Sequence, residues 1–452
     1  MRRASGEHER VKLNAYVIKC TVVAALGGLL FGFDTAVIAG TTRALTQTYA
    51  LSPASLGMTV ASALWGTVLG SLFAGTLGDH YGRRDSLLGL AMLYFVSALG
   101  CAFAWDWYSV VFFRFVGGLA IGGSSVLGPM YIAEIAPARW RGRLVGLFQI
   151  NIVCGILLAY LSNYLIGLAG FGEMEWRWKL GILALPAALF FLMLFAIPHS
   201  PRWLASKGRL DEARDVLRNT VGEDCESDLQ QIVASFRSGE AQGQETLFSR
   251  KYRVPILLAV SLAMFNQLTG INAILYYLND IFGRAGFSKV SGDLQAVAIG
   301  STNLLFTLLA MMLIDRFGRR TLLLVGSLGM AACLGGVSAV FFTGEREDML
   351  LWLLVGFIAF FAFSQGAVIW VYLSEIFPNR VRGKGQSLGS FTHWIMNALI
   401  SGTFPMMATA SGAYPFVLFA SMMVVQFLVV LFLFPETKNL SLEEMERTLR
   451  IS

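Results

Sequence analysis

GDHYGRRDSLL at residues 78–88 returns as IDRFGRRTLLL at 314–324, and EIAPARWRGR at 134–143 returns as EIFPNRVRGK at 375–384. The offsets are 236 and 241 residues and the order is the same, so the chain carries a duplication. Each motif lies between apolar runs of about 20 residues, the length at which a helix crosses a bilayer. There are twelve such runs, at 15–41, 55–77, 86–105, 107–130, 144–167, 178–197, 254–281, 292–313, 321–342, 350–374, 385–409 and 414–434. The hydrophilic stretch 198–253, with nine acidic and nine basic residues and helical runs such as RLDEARDVLRNTV, divides them six and six. The reading is an all-α membrane protein of twelve transmembrane helices in two pseudo-symmetric halves. The halves are 1–197 and 254–434, joined by a cytoplasmic helical linker at 198–253 and followed by a cytoplasmic tail at 435–452.

Composition agrees. Of 452 residues, 56% are hydrophobic and only 14% charged, far from the roughly 25% charged of a soluble domain. The net charge of +6 is not gathered on one soluble face, which argues against a nucleic-acid partner. The first run is too long for a signal-peptide core and carries Asp34, so it reads as a retained span. Most of the 35 Lys and Arg fall in the set of segments that holds both termini, 78–85, 131–143, 198–253, 314–320 and 375–384. That bias places both termini in the cytoplasm. The five cysteines and four histidines show no ligand spacing, so neither a metal nor another cofactor is expected.

The repeated charges are Asp79, Arg83, Arg84, Glu134 and Arg141 in the first half and Asp315, Arg319, Arg320, Glu375 and Arg382 in the second. Topology alone explains the arginines but not acids at matched positions. Pairing of Asp79 with Arg83 and Arg84, and of Glu134 with Arg141, gives ion pairs at the inner ends of neighbouring helices. Such pairs suit a cytoplasmic gate that opens and closes.

Two charges stand deep in spans: Asp34 in FGFDTAV and Arg114 in VVFFRFVGG. A carboxylate there needs a proton or a cation, so exchange of one for the other couples protonation to helix position. A permanent structural salt bridge is the other reading. Neutral amides beside aromatic rings, able to donate and accept at once, suit a small neutral ligand rich in hydroxyls. The spans supply Gln149, Asn266, Gln267, Asn272, Tyr276, Tyr277, Asn303, Trp370, His393, Trp394 and Asn397. His393, Trp394 and Asn397 fall within about 100° on a regular helix. Asn266, Gln267, Asn272 and Tyr276 spread over about 220°, which calls for a helix break; Thr269-Gly270 is the candidate.

These residues carry a resemblance. GGLLFGFDTAVIAG at 27–40, GDHYGRR, IDRFGRR, YIAEIAPARWRG, PHSPRWL at 198–204, NQLTGINAILYY at 266–277, YLSEIFPNRVRGK and PETK at 435–438 together resemble the sugar porter family of the major facilitator superfamily, over about Ala24 to Lys438. The resemblance implies that Asp34 carries a proton, as in proton-driven bacterial members. It also implies that Gln149, Gln267, Asn272, Asn303, Trp370 and Asn397 bond to or stack on the sugar. Asn266 and His393 depart from the family pattern, SQGAVIW lacks the prolines usual in the tenth span, and Leu183 stands where some proton-coupled members have a glutamate.

The expected function is import of a monosaccharide, hexose or pentose, by proton symport in a bacterial inner membrane, by a chain working as a monomer in the lipid bilayer. A facilitative uniporter is the alternative within the fold, and a transporter-like sensor a further one. The loop at 198–253 has no phosphate cradle or ligand cluster, so an enzyme is not expected.

Overall fold

The computed structural model describes residues 14–137, 139–222, 225–241, 246–378, 380–438 and 442–449, and leaves the side chains of Asp315, Leu442, Glu443, Glu446 and 235–241 undescribed. The chain is helical throughout its membrane part. Helices α1 (Ala15–Val37), α2 (Pro53–Tyr81), α3 (Arg83–Ala102), α4 (Trp107–Ile135) and α5 (Arg141–Ala169) are followed by α6 in two pieces, α6a (Glu175–Gly181) and α6b (Ala184–Leu194). The second half has α7 in three pieces, α7a (Arg253–Leu268), α7b (Ile271–Tyr276) and α7c (Leu278–Arg284), then α8 (Lys289–Phe317) and α9 (Arg319–Thr343). Then come α10a (Leu350–Phe363), α10b (Gln365–Glu375), α11 (Arg382–Ala410) and α12 (Tyr414–Leu433).

Among the described residues, 11 segments are long and apolar enough to cross a membrane. The twelfth, α11, falls short because its first half, RGKGQSLGSFTHWIMN, carries the polar side chains of the candidate site. Between the halves run short helices at Pro201–Ser206, Leu210–Val221 and Cys225–Ala241. The five cysteines are free.

Each half is locked at one face by the same clamp. In the first, Arg83 Nη2 lies 3.0 Å from Glu134 Oε1 and Arg83 Nη1 2.8 Å from Asp79. The Ser200 hydroxyl donates to the second oxygen of Glu134. In the other half, Arg319 Nη2 lies 2.8 Å from Glu375 Oε1, and the Thr437 hydroxyl donates to Glu375 Oε2 at 2.6 Å. Ser200 and Thr437 are 237 residues apart, so the duplication extends to the segments PHSP and PETK that follow each sixth helix. The arginines leave helix ends at Gly82 and Gly318, with φ of 90° and 84°, which is why both copies of the motif carry glycine there.

The expected Glu134–Arg141 pairing is corrected: the Arg141 guanidinium donates to the Ala133 carbonyl at 2.9 Å, and Arg382 turns to the Phe377 carbonyl at 3.4 Å. Two main-chain carbonyls at the turns lie nearer to these arginines than the carboxylates that Arg83 and Arg319 already occupy. Arg84 and Arg320 likewise donate to the carbonyls of Leu194 and Leu431. The side chain of Asp315 lies outside the described residues. Behind the first clamp, burial holds the His199 imidazole below its ordinary pKa against the pull of Asp85 at 3.8 Å, and the ring stacks on Trp203.

Glu436 gives the PETK segment a second task. Its carboxylate accepts from the main-chain N–H of Arg319 at 2.8 Å and of Arg320 at 3.1 Å, capping α9 from more than 100 residues away. Glu436→Ala is expected to cost about 0.5–2 kcal/mol of stability, read as a lower melting temperature in detergent, with Glu436→Gln intermediate.

Candidate substrate and proton sites

Helix α7 breaks at the expected place. Gly270 takes φ +79°, the Thr269 hydroxyl donates to the Asn266 carbonyl at 2.8 Å, and Ile271 N–H donates to that hydroxyl at 3.1 Å. The freed backbone groups are thereby satisfied inside the bundle. A second interruption at Tyr277 separates α7b from α7c.

The break lets the amides of α7 meet one another. Asn272 Nδ2 donates to Gln267 Oε1 at 2.9 Å, and Gln267 Nε2 donates to Asn266 Oδ1 at 3.1 Å. Gln267 Nε2 also lies 3.2 Å from both ring nitrogens of His393 on α11. His393 in turn stands between two indoles, Trp370 at 5.3 Å and Trp394 at 5.1 Å between ring centroids. Phe31 of α1 meets Trp394 at 5.5 Å, which brings the first half to the same place. Trp394 is buried, whereas Trp370, nearer the clamp face along α10b, is 41% exposed.

One turn further along α11, Asn397 Nδ2 donates to the Tyr276 hydroxyl at 3.3 Å and Asn397 Oδ1 accepts from Ser401 at 3.0 Å. Tyr277 donates to the Ser401 carbonyl at 3.0 Å. Asn303 on α8 is buried and Gln149 on α5 half-buried; neither joins the amide chain. Thus Asn266, Gln267, Asn272, His393, Trp370 and Trp394 form one connected group, Tyr276 and Asn397 a second one turn further along α11, with Gln149 and Asn303 apart from both. Sequence reading missed Gln365, whose Oε1 lies 3.4 Å from Asn266 Nδ2. Its signal was an amide inside an otherwise apolar run.

Asp34 and Arg114 do meet. Arg114 Nη1 lies 3.6 Å from Asp34 Oδ1, with both side chains over nine-tenths buried. At that distance the pair is ionic rather than hydrogen-bonded, and Arg114 Nε has no partner among the described residues. The Thr35 hydroxyl donates to the Phe31 carbonyl at 2.8 Å, and the Tyr276 hydroxyl lies near enough to Asp34 and Arg114 for both charges to act on it.

A second charged group was not read from the sequence. At the face opposite the clamps, Lys179 Nζ lies 2.8 Å from Glu175 and 3.4 Å from Asp293, and Lys289 lies 2.6 Å from Glu175. Arg43 lies 3.6 Å from Asp280, and Asn279 donates to Asp293. Lys179 is fully buried and Asp293 is 2% exposed. Arg43, Glu175 and Lys179 belong to the first half and Asp280, Lys289 and Asp293 to the second, so these pairs tie the halves together. The hydroxyl of Tyr160, donating to the Leu275 carbonyl at 2.9 Å, adds to the same seal.

The family model described as "Sugar (and other) transporter" matches residues 20–449. The chain belongs to the sugar porters of the major facilitator superfamily. It is 37% identical to the D-xylose-proton symporter of Escherichia coli over 96% of both chains. It is likewise 37% identical to the arabinose-proton symporter of Bacillus subtilis, over 96% of this chain and 95% of that one. The inward open conformation of the xylose transporter XylE from E. coli superimposes with a TM-score of 0.86 at 36% identity, covering 96% of this chain and all of that one. This sugar porter is a membrane transporter and not an enzyme.

Gln267→Ala or Asn272→Ala is expected to weaken sugar binding about tenfold or more, since either leaves neighbouring amides unpaired; titration calorimetry beside an unchanged melting curve checks it. Lys179→Met should raise deuterium uptake in Leu278–Arg284 and the start of α8. Lys179→Arg, which keeps a cation for both Glu175 and Asp293, should retain protection.

Proposed function

We propose that the chain imports a monosaccharide, hexose or pentose, together with a proton, by alternating access. The observation that carries this reading is a loose buried Asp34–Arg114 pair whose charges both act on the Tyr276 hydroxyl, which accepts from Asn397, beside a set of neutral amides and indoles. The amides accept and donate to hydroxyls, and Trp370 or Trp394 supplies a face for the sugar's C–H groups.

Asp34 exchanges Arg114 for a proton. At 3.6 Å without a hydrogen bond, the pair gives up little when the carboxylate is neutralised. Release of Arg114 removes the charged tie between α1 and α4 and changes the field at the Tyr276 hydroxyl that Asn397 meets. Sugar and proton then favour the same arrangement of helices, which is the condition for coupling. Leu183, buried between α6a and α6b, offers no second carboxylate, so coupling rests on Asp34.

The arrangement seen is closed at the face of Lys179 and Asp293, and it superimposes on the inward open XylE with a TM-score of 0.86. With the clamp face in the cytoplasm of a bacterial cell, as the Lys and Arg distribution indicates, this is the releasing state. The halves 1–197 and 254–434 rock about the site, joined by the linker 198–253. The cytoplasmic gate lies between the duplicated clusters of Asp79, Arg83, Arg84, Glu134 and Arg141, and of Asp315, Arg319, Arg320, Glu375 and Arg382: the ion pairs seen lie within each half, so closure brings one cluster against the other. One chain holds every part of the site, so a monomer in the bilayer suffices.

Asp34→Asn is expected to abolish sugar accumulation driven by a pH gradient in proteoliposomes while counterflow exchange survives. Accumulation by the variant equal to wild type would establish the facilitative alternative.

A further inference from the structure

Gln365 opens α10b directly after Ser364, where φ −114° and ψ −88° interrupt α10. It is fully buried, and its Nε2 has no hydrogen-bond partner among the described residues. Its main-chain carbonyl and its Oε1 lie 3.5 and 3.4 Å from Asn266 Nδ2. A main-chain carbonyl only accepts, and with the nearer Oε1 beside it the two acceptors together turn the nitrogen end of the Asn266 amide toward α10b.

That choice propagates. Asn266 presents its oxygen to Gln267, which must answer with Nε2, and Gln267 presents its oxygen to Asn272, which answers with Nδ2. Every amide therefore donates toward α10b, and the chain is polarised from end to end. Gln267 Nε2 spends its hydrogens on Asn266 and His393. What remains for a ligand is acceptor at Gln267, the spare lone pair of Oε1, and at Asn272 the free Oδ1 with the second Nδ2 hydrogen. A chain running the other way would offer N–H groups in the same places.

We propose that Gln365 is a positioning residue that sets this polarity and so selects a sugar with a donating hydroxyl opposite Gln267 and Asn272; this rests on the reading of those amides as the sugar site. Without Oε1, the single 3.5 Å contact to the carbonyl is too long to hold the orientation, and the amides become free to turn over together. Because Gln365 stands at the break, the polarity is set by the same segment that carries Trp370.

The test is equilibrium binding of D-xylose, D-glucose and the monodeoxyfluoro-D-glucoses, in which fluorine replaces a hydroxyl and no longer donates. Wild type should bind at least one fluoro sugar about tenfold or more weakly than D-glucose, the loss of one hydrogen bond to a buried acceptor. In Gln365→Met that ratio should fall below about threefold, whereas Gln365→Glu, which keeps an oxygen facing Asn266, should retain it. Gln365→Leu replaces the Met variant if that one does not fold. An equal loss of affinity for all sugars in the Met variant, or no change in the ratio, overturns the proposal and leaves the sugar site standing. Failure of wild type to bind any of these sugars overturns both.

Discussion

An arginine paired with a carboxylate where helices meet is the constraint on which each half depends. Inside a bundle a lone guanidinium or carboxylate is too costly to keep, so Arg83 with Glu134, and Arg319 with Glu375, fix where three helices of a half can end relative to one another. The hydroxyls of Ser200 and Thr437 complete the carboxylates' bonding and draw in the segment after the sixth helix. A half so pinned moves as a body, and the strain of transport falls on contacts between halves.

Those contacts are of a different kind. At the opposite face Lys179 reaches Asp293 and Lys289 reaches Glu175 across the boundary. They form only when that face is shut, and separation hydrates each ion, so breaking them is not prohibitive. The site between is neutral apart from Asp34 and Arg114. Amides and indoles can rearrange without stranding a charge, so under the proposed function the Asp34–Arg114 pair is the element within the site that would sense a proton.

Much of this was legible in the sequence because it depends on local composition. Apolar runs gave the membrane helices, and the angular spread of Asn266, Gln267, Asn272 and Tyr276 required the break that Gly270 makes. The duplicated motifs marked the right residues but the wrong partners. Glu134 was matched to Arg141, seven positions away, whereas its partner Arg83 comes from 51 positions away in the fold. The break at Ser364 had no local signal: it is set by packing, with the Ser364 hydroxyl seated where a side chain on Gly326 of α9 would stand. Lys179 and Asp293 escaped notice because 114 residues separate them and Asp293 fell at the edge of its apolar run. The match of Ser200 to Thr437 rests on a proline and a hydroxyl alone, too little to detect without the carboxylates they serve.

The two clamps also differ in when they can be completed during synthesis. Ser200 leaves the ribosome with the first six helices, so the first half has every part of its lock before the linker is made. Thr437, and the Glu436 that caps α9, arrive only after α12. The second half must therefore wait in the membrane with Glu375 incompletely bonded and the start of α9 uncapped until nearly the whole chain has emerged. During that interval the finished first half is a template against which the later helices can pack, so the duplicated architecture imposes an order of assembly that its symmetry conceals.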